Sequence, residues 1–217
     1  MPKSRKSKKG NPSPAQNTMP ANKFFQPRWA LLVTLLATTV VFLNTFQNSL
    51  TNWDDDQYVG KNPYIRELSA ENLQAIFWGG AKFYMGNYHP LTMLSLAVDF
   101  QLSDKERDKE SDMYHVAPFW FHLTNLLLHL LTTVLVFFVA LRLGRKFMPG
   151  HALSLAFVAG LWFGVHTLHV ESVSWVSERK DVLYAASYFG AFLLYLRYLD
   201  TRKTRFYFWA LGLFVLS

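Results

Sequence analysis

The stretch APFWFHLTNLLLHLLTTVLVFFVAL, Ala117 to Leu141, decides the fold: its 25 residues contain no Asp, Glu, Lys or Arg. A helix needs about 20 such residues to cross the hydrocarbon core of a bilayer. Working outward, further apolar runs cover Trp29 to Phe46, Ala152 to His169, Val182 to Leu199 and Phe206 to Ser217. With 51% hydrophobic and 17% aromatic residues gathered into such blocks, the chain reads as an all-α polytopic membrane protein. The last run has 12 residues, which reach about 18 Å of a roughly 30 Å core. The expectation is therefore an N-terminal fragment with about four full spans and a truncated fifth. With no cysteine, disulfides and thiolate metal sites are excluded.

Residues from Met1 to about Arg28 mix Lys3, Arg5, Lys6, Lys8 and Lys9 with Pro, Ser, Asn and Gly, the composition of a disordered basic tail. The leader before Trp29 is too long for a typical secretory signal, so the first run reads as a retained signal anchor. The tail, the turns after the second and fourth runs, and Arg197 near the end of the fourth run carry 14 Lys or Arg, against one acid, Asp200. The two opposite loops carry 8 basic and 14 acidic residues. The positive-inside rule then places the N-terminus in the cytoplasm and loop 47–116 in the periplasm or endoplasmic reticulum lumen. The pI near 9.6 is explained by this asymmetry and by membrane lipid, and nucleic-acid binding has no support.

Loop 47–116 has structure of its own. Ser69 can cap a short helix through Glu71, Leu73, Ile76 and Phe77 that ends at Gly79 and Gly80. Pro90 can start a second, with Leu91, Leu94, Val98 and Leu102 along one side. Both are expected to lie in the interface as a roof over the bundle. The alternating charges from Asp104 to Asp112 read as a solvated turn, and no internal repeat is visible.

Four groups of residues point to chemistry. Asp54, Asp55 and Asp56 crowd like charges at the water boundary of the first span, which costs free energy unless a cation or a proton-accepting task compensates it. A hydrated loop or a helix cap is the plainer reading. His122, Asn125, His129 and Thr133 fall on one narrow helical stripe within a span; they serve either a site or hydrogen bonds between helices. His166, His169 and Glu171 resemble a divalent-metal ligand set, but on a continuous helix Glu171 points about 140° from His166, so joint ligation needs the helix to break there. In Ser177, Glu178, Arg179, Lys180, Asp181, a helix N-terminus and two cations converge, a suitable place for a phosphate. Interfacial cations beside capping acids give the alternative.

Several of these blocks carry a resemblance. WDDDQYVGKNPYI from Trp53, FWG from Phe77, YHPLT from Tyr88, FHLTNLLLH from Phe121 and HTLHVESVSWVSERKDVL from His166 resemble the membrane half of the transmembrane and tetratricopeptide-repeat O-mannosyltransferases. The likeness covers about Trp53 to Tyr198. Thr167 departs from it where the family usually has proline, and the charged run from Asp104 replaces a usually uncharged link.

The resemblance implies a glycosyltransferase bundle of the C type, with its site in the first outer loop and a tetratricopeptide array downstream. It also implies a polyprenyl-phosphate sugar as donor, mannose as the hexose and protein Ser or Thr as acceptor. Asp54 or Asp55 would take the acceptor proton; Arg179 and Lys180 would hold the departing lipid phosphate; His89, His122 and Asn125 would position substrate. The competing reading is a non-catalytic polytopic scaffold that anchors a downstream repeat domain. A transporter is disfavoured, because no span is interrupted at mid-membrane.

Overall fold

The computed structural model describes residues 26–79 and 84–217; the basic tail up to residue 25 and the expected helix stop at Gly80 lie outside the described residues. The protein is nearly all helical. Among the described residues, three segments are long and apolar enough to cross a membrane: Pro27–Gln47, Phe119–Phe147 and Val176–Thr201. It is an integral membrane protein.

The first span is helix α1 (Pro27–Phe42), prolonged by a 3-10 turn to Gln47. Pro27 begins it without sacrificing a hydrogen bond, since the first N–H groups of a helix have no internal partner. Ala30, Thr34, Thr38 and Phe42 form its buried stripe, one residue in every four. Thr34 and Thr38 donate back to the carbonyls of Ala30 and Thr34 at 2.9 Å, so their hydroxyls are satisfied without water.

The outer loop then forms α2 (Ala70–Phe77) and α3 (Pro90–Leu102). Ser69 caps α2 as expected, its Oγ accepting from the Asn72 N–H at 3.2 Å. Helix α3 starts at Pro90, but its expected face is reversed. Met93, Leu96, Ala97 and Phe100 are buried, whereas Val98 and Leu102 are exposed. The charged run is not a plain turn either. It folds as the hairpin β1 (Lys105–Asp108) and β2 (Met113–Val116), with Lys105 opposite Val116 and Asp108 opposite Met113. Arg107 closes the loop by donating to Asp112 at 3.0 and 2.6 Å, while Asp108 accepts from Ser111 and from the Glu110 N–H. Val116 and the α3 face join Tyr58, Val59, Ile65 and Ile76 in one core, which continues into Phe121 of the next helix. The loop is thus a small packed unit seated on the bundle.

Helix α4 (Phe119–Phe147) crosses the membrane and continues through Arg142 and Lys146, so the turn expected from Arg142 begins only at Met148. Helix α5 (Ala152–Val165) is shorter than the span expected to His169. The chain turns at residues 166–168, and α6 (His169–Ser174) is a separate helix. Ala152, Ala156, Gly160 and Gly164 are the buried stripe of α5. Small residues four apart let it close against both neighbours: a Cβ on Gly160 would stand 3.3 Å from Phe137 of α4 and 3.6 Å from Thr34 of α1. Helix α7 (Arg179–Thr201) packs on α4 and ends with Arg202 in a left-handed cap. Lys203 then leads into α8 (Thr204–Leu216), antiparallel to α7.

Candidate functional site

The aspartates open a helical turn that widens into a π-helical turn over Asp56–Gly60, a local irregularity frequent at functional sites. The three carboxylates have different surroundings. Asp55 is buried: one oxygen accepts from the N–H and hydroxyl of Ser177, the other from the N–H of Thr51 at 2.9 Å and its hydroxyl at 3.2 Å. Its lone pairs are committed to joining the first span to the start of the last. Asp54 is half-buried and makes no hydrogen bond or ion pair among the described residues. Asp56 is half-buried and lines, with Asp55, a hollow of about 260 Å³ against β2.

Arg179 has no exposed surface. Its guanidinium pairs with Asp99 and donates to Asn125 Oδ1 at 2.8 Å, to the Phe121 carbonyl at 2.7 Å and to Ser95 at 3.4 Å. Thr124 donates to the other Asp99 oxygen at 2.8 Å. The fork that the residue pattern offers to a phosphate is therefore filled by the protein itself. Lys180, one position on, keeps 39% of its side chain exposed and pairs with Glu178 at 2.8 Å.

The polar stripe of α4 is also turned inward. His122 Nε2 lies 3.1 Å from the Asn48 carbonyl and His129 Nε2 lies 2.9 Å from the Gly164 carbonyl; a carbonyl only accepts, so each ring carries its proton on Nε2. Asn125 donates to the carbonyls of Val173 and Trp175. These contacts tie α4 to the chain after the first span, to the end of α5, and to α6 and the residue after it. The helix does break between His166 and Glu171, yet among the described residues no three His, Asp or Glu side chains converge as a metal site. His166 Nδ1 instead accepts from the Leu168 N–H at 3.2 Å.

Where α3 and α7 begin, a second cavity of about 390 Å³ is lined by Phe77, His89, Thr92, Lys180 and Tyr184, with the end of α8 closing it. Both ring nitrogens of His89 are buried and have no hydrogen-bond partner among the described residues. Burial, and then the charge of Lys180, hold His89 below the usual histidine pKa, so the ring is neutral at pH 7. Tyr58, from the aspartate turn, packs against it with ring centroids 5.4 Å apart. Leaving such groups unmatched costs roughly 1–3 kcal/mol each, a cost that a bound hydroxyl would remove.

The structure thus brings together Asp55 with Ser177, and His89 with Lys180. It encloses Arg179, His122 and Asn125 behind them. Asp99 and Tyr58 escaped the sequence reading. A lone carboxylate within the apolar run of α3 was the available signal for Asp99.

No protein-family model matches the chain, and no solved structure does. Among curated proteins, it is 30% identical over 170 residues to protein O-mannosyl-transferase Tmtc1 of Drosophila melanogaster, covering 76% of this chain and 18% of that protein. It is 33% identical over 114 residues to mouse protein O-mannosyl-transferase TMTC1, 52% of this chain and 10% of that one. Human protein O-mannosyl-transferase TMTC4 is 30% identical over 187 residues, 78% of this chain and 23% of the relative. The chain is a homologue of the protein O-mannosyl-transferases. It spans less than a quarter of the length of these protein O-mannosyl-transferases.

Proposed function

We propose that the outer loop and the start of α7 form the transfer site of a membrane glycosyltransferase, which moves mannose from a polyprenyl-phosphate donor to a Ser or Thr hydroxyl of a protein. One observation carries this reading beyond the homology. The Asp55–Ser177 contact ties an uncommitted carboxylate, Asp54, to the segment that presents Lys180. A base and a phosphate-binding cation are what the reaction needs. The acceptor oxygen bonds to the anomeric carbon, the bond from that carbon to the phosphate oxygen breaks, and Asp54 takes the hydroxyl proton. Lys180 stabilises the charge on the departing phosphate. Neutral His89 hydrogen-bonds to sugar hydroxyls.

Asp55 and Arg179 are positioning residues in this scheme. Asp55 holds the turn against Ser177, and Arg179 holds α3, α4 and α7 in register. The test is Asp54→Asn in the full-length protein. Transfer is expected to fall at least about 10²-fold with an unchanged melting temperature. Asp55→Asn should lower both. Wild-type transfer by Asp54→Asn would overturn the assignment of the base.

A further inference from the structure

At the end of the bundle remote from the aspartates, where α4 and α7 both terminate, lies a hollow of about 260 Å³. Leu141, Leu193 and Leu194 give it an apolar wall, and Arg142, Arg145 and Arg197 stand along it. Arg142 is engaged, pairing with Asp200 and donating to the Leu196 carbonyl at 3.2 Å. Arg197 is exposed, and its guanidinium lies 4.5 Å from the ring centre of Phe206, with no anionic partner among the described residues. Arg145 is exposed and makes no hydrogen bond or ion pair among the described residues. Asp200 neutralises one of the three cations, which leaves two guanidiniums unopposed beside an apolar channel.

We propose that this hollow binds one anionic phospholipid, its phosphodiester held between Arg145 and Arg197 and an acyl chain lying along Leu141, Leu193 and Leu194. Charge complementarity selects the occupant. A planar guanidinium matches phosphate oxygens two at a time, and basic pockets between spanning helices are suited to anionic head groups. A zwitterionic choline lipid would bring its own cation against the arginines. The site is independent of the proposed transfer reaction, since none of its residues belongs to the outer cavity.

The experiment is native mass spectrometry of the purified protein in micelles containing phosphatidylglycerol and phosphatidylcholine. One phosphatidylglycerol should be retained in preference, and Arg145→Gln with Arg197→Gln should weaken it roughly tenfold. The control pair Arg202→Gln with Arg205→Gln removes the same charge from the same end of the bundle and should leave retention unchanged. Both target arginines are solvent-exposed, so melting temperatures should match the wild type. Equal weakening by both pairs, or no preference for phosphatidylglycerol in the wild type, would overturn the proposal.

Discussion

Asp99 and Arg179 are each almost without exposed surface and each satisfied from several directions, which makes the pair costly to break and inexpensive to replace whole. Truncating either one to alanine strands the other charge, and the expected loss of stability is about 3–5 kcal/mol. The double change Asp99→Leu with Arg179→Met should cost less than the sum of the single ones, read as melting temperature in detergent. His89 gives a second prediction. Its folded pKa lies below the unfolded value of 6.5, so the unfolded chain binds the proton more readily. The stability it contributes is complete above about pH 6.5 and is lost as pH falls through the folded value. His89→Gln should flatten that part of a pH–stability curve, and an unaltered slope would remove His89 as its source. The crowding of Asp54, Asp55 and Asp56 was legible in sequence, but their separate surroundings were not. Which carboxylate meets Ser177 depends on a contact spanning 122 residues.

At the scale of elements, α5 is held by the absence of side chains. A Cβ on Gly164 would overlap Thr38 Oγ1 and come within 3.2 Å of Thr133. Gly164→Ala should therefore lower stability by about 1–3 kcal/mol through overpacking, measured as thermal unfolding in detergent. The spacing Ala152, Ala156, Gly160, Gly164 could have been read in advance, because small residues four apart mark a face of close helix approach. The starts of α2 and α3 were legible for a local reason: a serine cap and a proline act on the backbone next to them. The buried face of α3 was not. Leu91, Leu94, Val98 and Leu102 are as apolar as Met93, Leu96, Ala97 and Phe100, so periodicity offers two faces, and contact with β2 and α4 chooses between them. The hairpin was hidden by its charges, because Lys105 to Asp108 carry none of the apolar alternation that marks a strand.

For the whole molecule, membrane insertion follows from three long apolar helices, and the expected orientation follows from the distribution of charge. These 217 residues contain no cysteine, so their orientation can be read with single substitutions. A membrane-impermeant maleimide should label Glu110→Cys on the hairpin in intact cells or sealed microsomes opened to the luminal side. Lys146→Cys should react only from the cytoplasmic side, and the reverse pattern would invert the bundle. Transfer itself is tested by incubating the purified full-length protein with labelled polyprenyl-phosphate mannose and a Ser/Thr-rich peptide. Label is expected on the peptide, released by alkaline β-elimination and lost with Asp54→Asn. An unlabelled peptide alongside folded protein that has bound the donor would contradict the transfer function.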